Sequence, residues 1–265
     1  MKVFCYDKSF DGLLSAVFDA YVRREFPDLL LGKDAIPPLN ASSFHHVATE
    51  AEKSARVFKG LIPKMTGDAR RELFYAWLSE QEGADTLLFR YICRIFDCFR
   101  DRARRPGGAV ETDLSDDGVF AVHRLAKKVG CEKHQLLGFA RFQKTRDNVY
   151  FAAISPRHNV LPLLLDHFAD RFADQSWILF DLKREYGVLF SDGDFRQVHL
   201  ETEQVRRLRQ HGGKLDLEFL EAGEAMFQEL WKSYFKVVAI DDRSNPKLQS
   251  RCMPRRYWTY MTEKQ

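Results

Sequence analysis

The stretch LLGFARFQKTRDNVYFAAI, residues 136–154, decides the fold. Apolar and polar residues alternate through 136–144 and apolar ones crowd 148–154. Between them lies the polar turn Thr145-Arg146-Asp147, and this is the pattern of a β-hairpin. N-terminal to it the period is mostly helical. Lys2–Tyr6 reads as a short strand, Ser9 caps a helix carrying Leu13, Leu14, Val17, Phe18 and Tyr21, and 44–48 reads as a second strand. Thr49-Glu50-Ala51-Glu52 has the capping-box pattern and opens a helix to Leu61. Helices over 67–79 and 84–104 follow, Pro106-Gly107-Gly108 breaks the chain, and a further helix spans 116–133.

C-terminal to the hairpin, 161–172 reads as a helix, and 177–182, 186–190 and 195–200 read as strands. Gly212-Gly213 is a loop, and 216–238 is a long amphipathic helix with Phe219, Phe227, Leu230, Trp231 and Phe235 on its buried side. Helices first, strands next and a closing helix imply an α+β fold rather than regular βαβ alternation. The expectation is a helical N-terminal part packed on a mainly antiparallel sheet, closed by the long C-terminal amphipathic helix. A single domain over 1–265 is expected, with a helical subdomain at 49–105 and a sheet-containing core at 110–265.

A chain of 265 residues, 45% hydrophobic and 30% charged, can bury a full core, and its 22 phenylalanines supply bulky rings for it. The net charge of +3 neither demands nor excludes a polyanionic partner, so local clustering must decide. Cys5, Cys93, Cys98, Cys131 and Cys252 are scattered, with no C-x-x-C pair, which argues against a zinc ribbon and for reduced thiols. MKVFCYD does not read as a signal sequence and no apolar run approaches the roughly 18 residues of a membrane span. A cytoplasmic protein with no membrane partner is expected. Walker, G-x-S-x-G and other Gly-rich phosphate-loop patterns are absent from the sequence.

The stretch 243–258 holds five cations, Arg243, Lys247, Arg251, Arg255 and Arg256, and no carboxylate. Pro246 and Pro254 stiffen it, and Tyr257 and Trp258 close it. Guanidiniums grip phosphates and rings stack on bases, so Arg243, Asn245, Lys247, Arg251, Arg255, Arg256, Tyr257 and Trp258 are candidate nucleic-acid contacts. The plain alternative is a docked tail paired with surface carboxylates. Arg90, Arg94, Arg100, Arg102, Arg104 and Arg105 form a second cluster, for which a solvated helix face is the alternative. Arg141 alternates with apolar neighbours and is a candidate phosphate ligand. His167 and Arg171 stand i,i+4 apart, and Arg171 joins the binding set.

Glu132 and His134 stand where helix passes to strand and could act as acid and base; a structural histidine is the alternative. Asp181-Leu182-Lys183, with Asp166 upstream, has the form of a metal-dependent nuclease site, a short and common pattern. Glu132, His134 and Asp181 are thus the catalytic candidates; no metal ligands are assigned.

Several segments together resemble a bacterial family described as DNA repair or SAM-dependent DNA metabolism proteins, a domain of unknown function. They are YDKSFDG (6–12), CEKHQLLGFARF (131–142), HFADR (167–171), WILFDLKR (177–184), RSNPKLQ (243–249) and MPRRYW (253–258). The resemblance implies a radical-SAM protein as partner, and a similar domain is appended to certain uracil-DNA glycosylases. It brings no settled activity. The chain lacks the C-x-x-x-C-x-x-C run that binds the cluster, so SAM and the iron–sulfur cluster are expected in the partner only and no cofactor in this chain. Gly223-Glu224-Ala225 precedes Met226 in a helical stretch and is no glycosylase water-activating loop. The leading expectation is a DNA-binding accessory of the radical-SAM protein. The alternatives are an enzyme acting on nucleic acid through Glu132, His134 and Asp181, or a scaffold that does not touch DNA.

Overall fold

A computed structural model describes residues 1–101, 110–240 and 243–264. The fold is α+β, and the chain divides into two compact units, Met1–Gly130 and Cys131–Gln265. The division falls inside a helix, not at the break at 106–108, which lies outside the described residues.

In the first unit β1 (Lys2–Tyr6) is the centre of a three-stranded parallel sheet, flanked by β2 (Leu29–Gly32) and β3 (Ser43–His46). β2 is a four-residue apolar run, too short for any period to declare itself in the sequence. Helix α1 (Phe10–Arg23) is capped by Ser9, whose Oγ accepts from the Gly12 amide at 2.9 Å. Helices α2 (Ala51–Leu61), α3 (Gly67–Trp77) and α4 (Ala84–Asp101) follow. The capping box expected at Thr49 does not form: Glu50 is the N-cap of α2 and makes no side-chain cap bond. Val3, Phe4 and Tyr6 of β1, Leu13, Leu14 and Val17 of α1, Leu73 of α3 and Leu88, Phe89 and Ile92 of α4 are all buried.

Helix α5 (Asp117–Phe139) carries the division between the units. It extends six residues past its expected end and absorbs 136–139 of the strand read at 136–144, of which only β4 (Gln143–Lys144) forms. Val129, Glu132 and Leu136 explain why. They recur at helical spacing and all are buried, so one helical face outweighs the local alternation.

The second unit holds a five-stranded sheet in sequential order: β4, β5 (Val149–Ile154), β6 (Ser176–Asp181), β7 (Tyr186–Ser191) and β8 (Asp194–Val198). Three of its pairings are antiparallel. The fourth, β5 with β6, is parallel and is bridged by α6 (Leu161–Arg171). Trp177 on β6 is buried among Phe142, Phe168, Phe190 and Phe195, with ring centroids 5.3–6.3 Å away.

Helix α7 (Thr202–Gln210) is an element that sequence reading passed over. A capping box of Glu201 and Gln204 starts it, and it buries Val205 and Leu208 against Phe151 and Phe180 of the sheet. Helix α8 (Glu224–Val238) is shorter than expected and leaves Phe219 outside. Its apolar stripe does not face a core: Phe227 is 60% and Leu230 56% exposed, and Trp231 is exposed as well. Amphipathic spacing shows that a stripe exists, but it cannot show what covers it. Among the described residues, no helix is long and apolar enough to cross a membrane.

Candidate nucleic-acid interface

Glu132 is the knot of the second unit. It is 2% exposed and collects four donors. The Arg157 and His158 amides donate at 3.0 and 2.8 Å, the Tyr257 hydroxyl at 2.8 Å and the Arg256 guanidinium at 3.3 Å. Burial pushes this carboxyl up, but the two amides and the hydroxyl together bring it below its ordinary range. The Tyr257 hydroxyl is pushed up, by burial first and by the Glu132 charge second. Arg256 lies 4.4 Å over the Tyr257 ring and donates to its hydroxyl at 2.6 Å, and Phe139 packs on the same ring. The basic C-terminal segment is therefore seated through Tyr257 on α5.

From that seat the segment presents its cations. Asn245 does not face a ligand: its side chain accepts from the Leu248 amide at 3.0 Å and caps α9 (Pro246–Cys252). Lys247 and Arg251, four residues apart on α9, share one face and are exposed. Trp258 is fixed by its indole N–H, which donates to the Met253 carbonyl at 3.0 Å. Arg255 lies 5.5 Å and Lys264 4.9 Å from its ring. Arg243, Lys247, Arg251 and Arg255 are all exposed, and among the described residues none of them forms an ion pair.

A second element borders this surface. Residues 155–159 link β5 to α6 at the carboxyl ends of the two parallel strands, where open α/β sheets place ligands. The loop is held on both sides of Arg157. Glu132 takes the Arg157 amide, while Lys183 Nζ (2.7 Å) and Arg184 (3.1 Å) donate to the Arg157 carbonyl. The Arg157 side chain stays exposed. Because its amide and Arg256 share Glu132 Oε1, Arg157 and Lys183 stand next to the seat of the basic segment. Sequence reading missed Arg157. Its signal, Pro156-Arg157-His158-Asn159 after a strand, gains meaning only once β5 and β6 are known to run parallel.

Other candidates are corrected by their partners. Arg141 is a structural tie: Nε and NH2 grip Glu263 at 3.1 and 2.6 Å, and NH1 donates to the Gly138 and Ala140 carbonyls. The Glu263 side chain is buried and held below its ordinary pKa; burial works against this, but Arg141 and the Trp231 indole N–H outweigh it. Arg171 is exposed at the end of α6, 5.8 Å from the Phe172 ring. Arg90 donates to the Asp28 carbonyl and Arg94 pairs with Asp116. The Arg100 side chain, Arg102, Arg104 and Arg105 lie outside the described residues.

Glu132, His134 and Asp181 do not assemble a catalytic group. Two residues along α5 is about 200° around the helix, so His134 is exposed while Glu132 is buried. Asp181 is fully buried, pairs with Arg184 at 2.8 Å and accepts the Lys183 and Arg184 amides. Burial raises its pKa and Arg184 offsets only part of that. Lys183 lies past the end of β6, in the turn to β7, so it does not share a strand face with Asp181; Asp166 and His167 are exposed on α6. Among the described residues, no cluster of three His, Cys, Asp or Glu side chains could hold a metal ion.

No curated protein matches the chain. Among solved structures, a pGpG-specific phosphodiesterase, PggH, from Vibrio cholerae aligns with a TM-score of 0.33 at 10% identity, covering 79% of this chain and 96% of its own. The family model of a domain of unknown function, DUF4130, matches residues 82–263, well over half of the chain. Those residues take in α4, α5 and nearly all of the second unit, and through them the chain belongs to the DUF4130 family.

Proposed function

We propose that this protein is a nucleic-acid-binding accessory that works with a radical-SAM enzyme in DNA repair or DNA metabolism. The observation that carries the binding role is the seated but unneutralised segment. Arg243, Lys247, Arg251 and Arg255 stand exposed and, among the described residues, without carboxylate partners, while Tyr257, locked to Glu132, fixes the chain that bears them. Ordered cations lose little entropy on meeting phosphates, and Trp258 offers a ring beside them for a base. Arg157 and Lys183 extend the same surface. The radical-SAM partner rests on the resemblance of the sequence segments, and SAM and the cluster belong to that partner. We assign no chemical step to this chain, because Glu132 is spent on the 155–159 loop and Tyr257, and Asp181 on Arg184 and the 183–184 amides.

Filter binding of short single strands and duplexes over a range of salt tests the proposal. Four phosphate contacts predict a log–log slope of about −3 on single strands and about −3.6 on duplex. Neutralising Arg243, Lys247, Arg251 and Arg255 together should flatten that slope toward zero. A salt-independent signal, or none at low salt, removes the proposal. A second reading, a protein scaffold, is favoured by the exposed apolar stripe of α8. It predicts that the radical-SAM protein co-purifies with the chain and that Leu230→Glu abolishes this without changing DNA binding.

A further inference from the structure

The first unit has its own candidate site, formed largely by residues ahead of those the family model matches. In its parallel sheet the central strand β1 is flanked on opposite sides by β2 and β3, so the carboxyl end of β1 is a topological switch point. A cavity of about 260 Å³ opens beside Lys8, the second residue after β1. Lys8, Trp77, Leu78, Glu80, Gln81 and Asp85 line it.

Several observations mark this cavity as a built site. Two of its lining residues, Lys8 (φ 63°) and Glu80 (φ 49°), hold left-handed backbone that side chains other than glycine disfavour, and strain of that kind gathers at ligand sites. The end of β2 is shaped to fit Lys8: a Cβ added at Gly32 would lie 2.5 Å from its Cε. The Lys8 ammonium thereby stands 3.6 Å from the Asp85 carboxylate, both at the cavity wall. Beside Asp85 lies the Tyr6 hydroxyl, fully buried and directed at that carboxylate. Burial first, and the Asp85 charge second, push the Tyr6 pKa up, which keeps the hydroxyl a donor. Trp77, stacked on Phe74 at 5.6 Å, gives the wall a rigid aromatic plane.

A strong donor next to a strong acceptor, beside an indole, fits a flat ring whose edge sets an acceptor next to an N–H. Every nucleobase has such an edge, and the cavity has room for a base with part of its sugar. We propose that the carboxyl end of β1 is a nucleobase site in which Trp77 stacks on the base, Lys8 and Asp85 read its edge, and Tyr6 positions the Asp85 carboxylate. This site does not rest on the basic C-terminal segment.

Calorimetric titration of the full chain with the four ribonucleosides tests it, with free amino acids as a competing class of zwitterion. Nucleosides carry no phosphate for the basic segment to grip, and Asp85→Asn separates this site from stacking on Trp258, so the two readings fail separately. At least one nucleoside should bind, and Asp85→Asn and Lys8→Met should each weaken it about tenfold or more with unchanged thermal unfolding. Tyr6→Phe should weaken it less, and its effect should vanish in the Asp85→Asn background, which a merely structural role would not produce. Trinucleotides tried alongside separate a free base from one carried on a strand; binding of trinucleotides alone, sensitive to Asp85→Asn, supports the strand. The proposal is overturned by silence from both at about 5 mM, by binding indifferent to Asp85 and Lys8, or by an amino acid binding where nucleosides do not.

Discussion

Glu132 carries more of the second unit than any other carboxylate in the described chain, since it joins α5, the 155–159 loop and the C-terminal segment through four donors. Replacing one carboxylate oxygen by an amide NH2 turns a donor toward a donor and leaves Arg256 without its counter-charge. Glu132→Gln should therefore cost about 3 kcal/mol in urea unfolding, and Tyr257→Phe about 1–2 kcal/mol. The pH dependence has a definite sign. A carboxyl held below its ordinary 4.5 stabilises the fold fully above that pH, and the contribution is lost as pH falls through the depressed folded value. Glu263 acts in the same direction. The unfolding free energy should drop from pH 5 to pH 3, less steeply in Glu132→Gln than in the parent. None of this was legible in the sequence. Glu132 and Tyr257 stand 125 positions apart and Arg141 and Glu263 122 apart, and no spacing rule reaches that far. The sequence did show a cation run without acids, because that property is local.

At the scale of elements, legibility followed length and period. Helices α1, α3 and α4 announce themselves, since their apolar residues recur over three or more turns. The hairpin turn at Thr145-Arg146-Asp147 also stands where it was read, with the Thr145 amide donating to the Val149 carbonyl at 2.9 Å. α7 hid because nine mostly polar residues bury only Val205 and Leu208. α8 misled in the opposite way, being rich in rings that stay exposed. Their stabilities should invert the impression the sequence makes. Leu208→Ala should cost about 2–4 kcal/mol, whereas Leu230→Ala should stay within about 0.5 kcal/mol. Chemical denaturation of both variants decides it.

For the whole molecule, the chain divides into two compact units, each with its own sheet. Parallel pairing was what the sequence concealed. β1 with its neighbours and β5 with β6 join strands through long crossovers, and local turn signals reveal only hairpins. The family boundary at residue 82 therefore cuts through the first unit, between α3 and α4. A fragment of residues 82–263 keeps α4 but loses the strands and helices that cover Leu88, Phe89 and Ile92. It should aggregate or bind hydrophobic dye. A fragment of residues 117–265 keeps α5 entire and should unfold cooperatively, as circular dichroism through a denaturant series would show.

The ring box around Trp177 has an optical consequence. Its indole N–H is buried with no acceptor among the described residues, and aromatic faces replace solvent around it. A chromophore so shielded emits at short wavelength, whereas Trp231 lies exposed and emits further to the red. With the half-buried Trp77 and Trp258 replaced by Phe, the blue edge of the emission band becomes a built-in gauge of the five-stranded sheet, readable without any label.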